Sequence, residues 1–195
     1  MQAITEALEE PRQLAAILER SSELGFDMAS ERRTGALLRL LAASKPGGRI
    51  LELGTGTGAG TAWLLQGMDG EASLISVDWD ERVQSVAREN LGHDPRLKLL
   101  AVDAAGFLWR QPKCCFDLVF ADAMPGKYVA LDEALAIVKP GGFYVVDDLL
   151  PQPNWPEGHA EKVPPLCRRL MSDERFCALP MNWASGVLVL VRKSL

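Results

Sequence analysis

The chain has 195 residues, 48% hydrophobic and 24% charged, with a net charge of −5. This fits one globular domain with a core of its own and speaks against wholesale disorder. The acidic balance argues against nucleic acid as a partner, because a phosphate-binding surface carries a basic excess. Arg168-Arg169 is too short to supply one and reads as a solvated helix face. No apolar run of about 18 residues occurs, so no membrane span is expected. The N-terminus, MQAITEALEEPRQLAAILER, is charged and helix-patterned without the apolar centre of an export signal, so a cytoplasmic protein is expected. Cys114, Cys115, Cys167 and Cys177 form neither a CxxC pair nor a Cys/His cluster, which argues for free thiols and against structural zinc.

In chain order, ITEALEEPRQLAAILER has helical apolar spacing interrupted by Pro11, predicting two short helices or one that restarts there. Ser30 is the expected N-cap of the helix ERRTGALLRLLAAS, which KPGG stops. Strands and helices then alternate: RILELG, AGTAWLLQGM, SLISVD, ERVQSVARENLG, LKLLAVD, AAGFLWRQ, FDLVFAD, KYVALDEALAIVK and FYVVDD. Alternation of this kind predicts an α/β fold with a parallel sheet covered by helices on both faces. LLPQPNWPEGHAEKVPP reads as a long proline-rich loop, LCRRLMSDE as a helix, and FCALPMNW with GVLVLVRK as a closing hairpin.

Between the first strand and the next helix, ILELGTGTGAG places Gly54, Gly56, Gly58 and Gly60, with Glu52, Thr55 and Thr61 in the same stretch. Glycines there permit a sharp turn and a close approach of ligand to main chain, and the helix N-terminus beyond offers free N–H groups. A dinucleotide fingerprint can be drawn through Gly54, Gly56 and Ala59, but E-x-G-x-G-x-G from Glu52 is the cleaner pattern, and no phosphate-gripping lysine follows. Asp78 ends the second strand, where a carboxylate accepts ribose hydroxyls; its plainer role is a turn, although Asp80 is the better helix cap. Trp79 beside it either stacks on an adenine ring or packs. Asp103, with Ala104, either orients an adenine amino group or caps the helix that follows. Asp122, in FADAMPGKY, ends the fourth strand, as a site residue or as a turn cap.

In their combined order these motifs resemble the class I S-adenosylmethionine-dependent methyltransferases, whose reversed last strand matches the expected hairpin. LELGTGTG resembles the first motif, SVDWD the second strand end, VDAAGFL the adenine motif, and FDLVFADAMPGKY and VKPGGFYVVDD the fourth and fifth strands. The resemblance is nearest to the small catechol and caffeoyl-CoA type O-methyltransferases. It implies a Rossmann-like, seven-stranded, mostly parallel sheet with a reversed C-terminal strand, in one domain over residues 1–195. Residues 1–45 would form a helical cover on a cofactor-binding core over 46–195.

The same resemblance implies S-adenosylmethionine as cofactor and a small hydroxylated, catechol-like acceptor. It implies Mg²⁺ or another divalent cation held by Asp122, Asp147 and Asp148, the last in place of the usual asparagine. Such an ion lowers a phenol's pKa and orients its oxygen toward the methyl group. Direct displacement then depends mainly on positioning. The family's lysine position, three after Asp122, holds Pro125; Lys127 either takes over as base or is simply solvated. Asp147, Asp148 and His159 are the other base candidates, with His159 in a loop where Asn154 and Trp155 would line an acceptor pocket. A protein acceptor, or a cofactor-binding protein without transfer activity, remains an alternative, with an oxidoreductase more distant. A homodimer through the N-terminal helix is a further expectation.

Overall fold

The computed structural model describes residues 8–194; the part of the N-terminal helical expectation before residue 8 lies outside them. Helix α1 spans Leu14–Glu23 and α2 Arg32–Ala43; then come β1 Arg49–Leu53, α3 Ala59–Gly67, β2 Ser73–Asp78, α4 Glu81–Leu91, β3 Leu97–Ala101 and α5 Ala104–Leu108. After these come β4 Phe116–Ala121, α6 Leu131–Ala136, β5 Val138–Val146, α7 His159–Met171, β6 Phe176–Met181 and β7 Val187–Arg192. The strands form one seven-stranded sheet in the order β3-β2-β1-β4-β5-β7-β6. Strands β1 to β5 pair in parallel, and β7 runs antiparallel to both β5 and β6. The expected architecture is thus present, including the reversed hairpin.

Strand alternation sorts the apolar residues onto two faces. Ile50, Leu118 and Phe120 pack with Leu14, Ile17, Leu38 and Trp63 from α1, α2 and α3. Leu51, Leu53, Val119 and Ala121 pack with Leu108, Leu135, Leu166 and Leu170 from α5, α6 and α7. With both faces covered, the central strands are mostly apolar, as buried parallel strands tend to be, with Glu52 and Ser76 as buried polar exceptions.

Three local expectations are corrected. Ser30 does not cap α2: Glu31 holds the N-cap position without a side-chain bond, and the Ser30 hydroxyl points to Asp122 instead. The helix expected over KYVALDEALAIVK shrinks to Leu131–Ala136, because Ala130 adopts a left-handed φ of 54° and breaks it from the turn before it. The loop expected through Pro165 ends at Gly158, and α7 includes Pro164 and Pro165. Val163, Leu166 and Leu170 form a buried stripe that holds this helix to the sheet, while both prolines lie on its exposed side.

Sheet order decides where ligands bind. From β1 the chain winds one way to β2 and β3, and from β4 the other way to β5. The crevice therefore lies beyond the C-terminal ends of β1 and β4, the point where the winding reverses. Register aligns Leu53 with Ala121, and Ala121 with Val146, so Gly54, Asp122 and Asp147 leave the sheet side by side.

Candidate active site

A cavity of about 650 Å³ opens at this point. Its floor is the glycine loop, with Gly54, Thr55, Gly56 and Gly60 on the wall. Gly54 has φ +100°, and a Cβ there would lie 2.5 Å from the Asp122 carbonyl oxygen, so only glycine lets the two strand ends come this close. One end of the cavity carries Asp78, Trp79, Asp103 and Ala104. The other end carries Asp122, Asp147 and Asp148. The segment Phe26–Glu31 arches over the top, and Asn154 fastens the opposite loop to it through Nδ2 to the Asp27 carbonyl at 2.9 Å.

At the first end, Asp78 accepts the Gly56 N–H at 2.8 Å and the Asp80 N–H at 3.0 Å, bracing the loop while keeping its carboxylate on the cavity wall. Asp80 is the cap of α4, accepting from Arg82 and Val83. Asp103 does cap α5, through Ala105 and Gly106 N–H, and its side chain also borders the cavity. Trp79 is 81% exposed, so core packing does not account for it.

Glu52, Gly58, Thr61, Lys127 and His159 are not on the wall, contrary to expectation. Glu52 is fully buried behind the loop, taking hydrogen bonds from Thr61 and Ser76, while its Oε1 has no partner. Burial, ahead of the nearby Asp122 and Asp78 charges, pushes its carboxyl up to about 8. Gly58 turns the backbone into α3 and packs on Ala87. His159 is no loop residue: it begins α7, is 8% exposed, and sits against the Tyr128 and Trp155 rings at centroid distances of 5.6 and 4.5 Å. Burial, then the Lys127 and Lys162 charges, lowers its pKa. Trp155 packs there instead of lining the cavity.

The acidic end is more ordered than its sequence implied. Asp122 receives Lys127 Nζ on Oδ1 at 3.2 Å and the Ser30 hydroxyl on Oδ2 at 3.4 Å. Lys127, 4% exposed, is not a solvated lysine. Asp147 accepts from the Ser185 hydroxyl and from the Asp148 N–H, and burial followed by the Asp122 charge pushes its carboxyl up to about 7. Asp148 is half-buried at a left-handed φ of 69°, with its pKa raised chiefly by burial.

Comparison with known proteins gives the family of the chain. Residues 51–149 match the family described as a methyltransferase domain. Over 191 residues, 92% of this chain and 84% of the relative, the sequence is 31% identical to a Mycobacterium tuberculosis protein named as an O-methyltransferase. The chain belongs to the S-adenosylmethionine-dependent O-methyltransferases. Its fold is shared with the O-methyltransferase TomG of Streptomyces achromogenes, involved in tomaymycin synthesis and solved with its cofactor: TM-score 0.80, 24% identity, 96% of this chain and 92% of that one. An O-methyltransferase of Bacillus cereus, solved with S-adenosylhomocysteine, superposes with TM-score 0.81 at 18% identity, covering 98% and 96%.

Against this O-methyltransferase frame, the metal expectation meets a correction. Among the described residues, no three His, Cys, Asp or Glu side chains stand together as a group able to hold an ion. The physical reason is local: Asp122 is engaged by an ammonium, and Asp147 is turned to Ser185 and the Asp148 N–H. These three carboxylates as arranged do not fit a divalent ion. The cavity does suit the cofactor, offering the Asp78 carboxylate beside the exposed Trp79 indole at one end. Sequence reasoning missed Ser30, Ser185 and Gln152. Ser30 was visible only as a cap candidate, and Ser185 as a hairpin residue. Nothing local links either to an acid 92 or 38 positions away.

Proposed function

We propose that this O-methyltransferase acts on a hydroxyl of a small acceptor held at the acidic end of the cavity. The observation that carries the reading is the division of one cavity into a nucleoside-like end, Asp78 and Trp79, and an acidic end, Asp122, Asp147 and Asp148. The roof formed by Phe26–Glu31 and Asn154 favours a small molecule over an extended protein segment. Residues 1–195 act as a single domain in this reading, with α1 and α2 as cover.

When bound, S-adenosylmethionine supplies a methyl group made electrophilic by its sulfonium. Asp78 retains free lone pairs on both oxygens to accept ribose hydroxyls. Trp79 presents an open face for adenine, with Asp103 and Ala104 at its edge. The glycine loop holds the remainder against main-chain groups. Asp148 is the base we assign: it is on the wall and only half-buried, and its raised pKa brings it nearer to a hydroxyl proton. Asp147 is tied to Ser185, and Lys127 and His159 stand behind the wall. Asp122 and Asp147 orient the acceptor hydroxyl toward the methyl carbon, and positioning supplies much of the rate.

Isothermal titration with S-adenosylhomocysteine, followed by methyl transfer to a panel of catechols and phenols, tests the reading. Binding and turnover of a phenolic hydroxyl are expected, with Asp148→Asn lowering kcat about 10²- to 10⁴-fold. Absence of binding at about 1 mM, equivalent to only about −4 kcal/mol, overturns it.

A further inference from the structure

We propose that the Lys127 ammonium is a built-in cation for the acidic end, standing in for a divalent metal and keeping one from binding there. The proposal begins with the turn that delivers it. Met124-Pro125-Gly126-Lys127 is a type II turn, with Pro125 at φ −65°, ψ 135° and Gly126 at φ 90°, ψ −24°. Four bonds lock it: Tyr128 N–H and Val129 N–H to the Met124 carbonyl at 2.8 and 3.1 Å, Gly126 N–H to the Val129 carbonyl at 2.8 Å, and the Tyr144 hydroxyl to the Gly126 carbonyl. A Cβ at Gly126 would lie 2.6 Å from Leu53 Cδ1, so the turn has no slack against β1. Its last residue is folded back under the acids instead of outward.

The consequence is electrostatic. Lys127 Nζ lies 3.2 Å from Asp122 Oδ1, and the side chain is 4% exposed. Asp147 and Asp148 line the same end of the cavity as Asp122. These are the same three carboxylates that a divalent ion would have to collect at oxygen distances of about 2.0–2.6 Å. An incoming cation would meet a like charge already in place, and displacing it would strand an ammonium in a buried position without a partner. Lys127 does not reach the cavity, so it acts as a positioning residue and not as the base.

Mn²⁺ titration followed by electron paramagnetic resonance tests this directly, because only free Mn²⁺ gives the sharp signal. In the wild-type protein no loss of signal is expected up to about 1 mM, the weak end of ordinary protein sites for hard cations. Lys127→Met should gain a site at least tenfold tighter, and adding Asp122→Asn should abolish it. If Lys127→Met does not fold by circular dichroism, Lys127→Gln carries the same comparison. Wild-type Mn²⁺ uptake that Asp122→Asn removes overturns the proposal, as does a folded lysine variant that takes up none. The inference rests on the cavity being the methyl-transfer site. S-adenosylhomocysteine titration in the presence of a chelator separates the two: unchanged affinity is expected, and loss of binding in every condition counts against that reading.

Discussion

Lys127 and Asp122, five positions apart in the chain, form an ion pair of 3.2 Å, with the lysine side chain 4% and the aspartate 16% exposed. Removing one partner of a buried pair costs more than the pair contributes, because the other charge is left without compensation. Lys127→Met is expected to lower unfolding free energy in urea by about 3 kcal/mol, toward the low end of the range for such losses. Asp122→Asn, whose amide oxygen still accepts from the ammonium, should cost less. A loss below about 1 kcal/mol for Lys127→Met would place the pair with ordinary surface bridges.

Glu52 makes a pH prediction. Its folded pKa of about 8 lies above the ordinary carboxyl range, raised first by burial. The folded state therefore keeps a proton that the unfolded chain releases, and stability falls as pH rises from the unfolded value near 4.3 through about 8. Thermal melts of the cofactor-free protein should show Tm dropping across that window. In Glu52→Gln the slope should flatten, since the amide does not titrate. Identical slopes in both proteins would remove Glu52 as the cause.

Gly54 is the position where the backbone tolerates least change. At φ +100°, with a Cβ position 2.5 Å from the Asp122 carbonyl oxygen, alanine meets both strain and a main-chain clash. Backbone strain alone costs about 1–3 kcal/mol. Gly54→Ala is expected to lower the urea midpoint and to weaken S-adenosylhomocysteine binding at least tenfold by calorimetry. An unchanged dissociation constant would show that the loop can shift without consequence.

Trp79 and Asp78 separate binding from stability. Trp79 is 81% exposed, so Trp79→Ala should leave stability within about 0.5 kcal/mol. Losing an adenine stack of about 1–3 kcal/mol should nonetheless weaken S-adenosylhomocysteine binding by 5-fold or more. Asp78→Asn should weaken it further, because the neutral amide accepts a ribose hydroxyl less strongly and also loosens the Gly56 N–H bond. A Trp79→Ala protein with full affinity would return that ring to plain surface.

The sequence by itself determined the parts governed by short-range physics. Apolar runs ending at Gly54, Asp78, Asp103 and Asp122 marked parallel strands. The spaced glycines marked the loop, and the final alternation marked the reversed hairpin. These survive because strand period, turn chemistry and capping act within a few residues. Tertiary structure decided the rest. Pro164-Pro165 looked like a loop until the buried stripe of Val163, Leu166 and Leu170 gave the helix a face to hold. His159, Glu52 and Thr61 belonged to the motif neighbourhood but ended behind the wall, since which side of a strand or helix a side chain takes depends on what packs against it. Lys127 was either base or solvated in the linear chain. Only the type II turn, pressed between Leu53 and Tyr144, carries its charge under Asp122, and only β7 brings Ser185 to Asp147. Electrostatic environment depends on distance through space, and residues far apart in the chain set those distances.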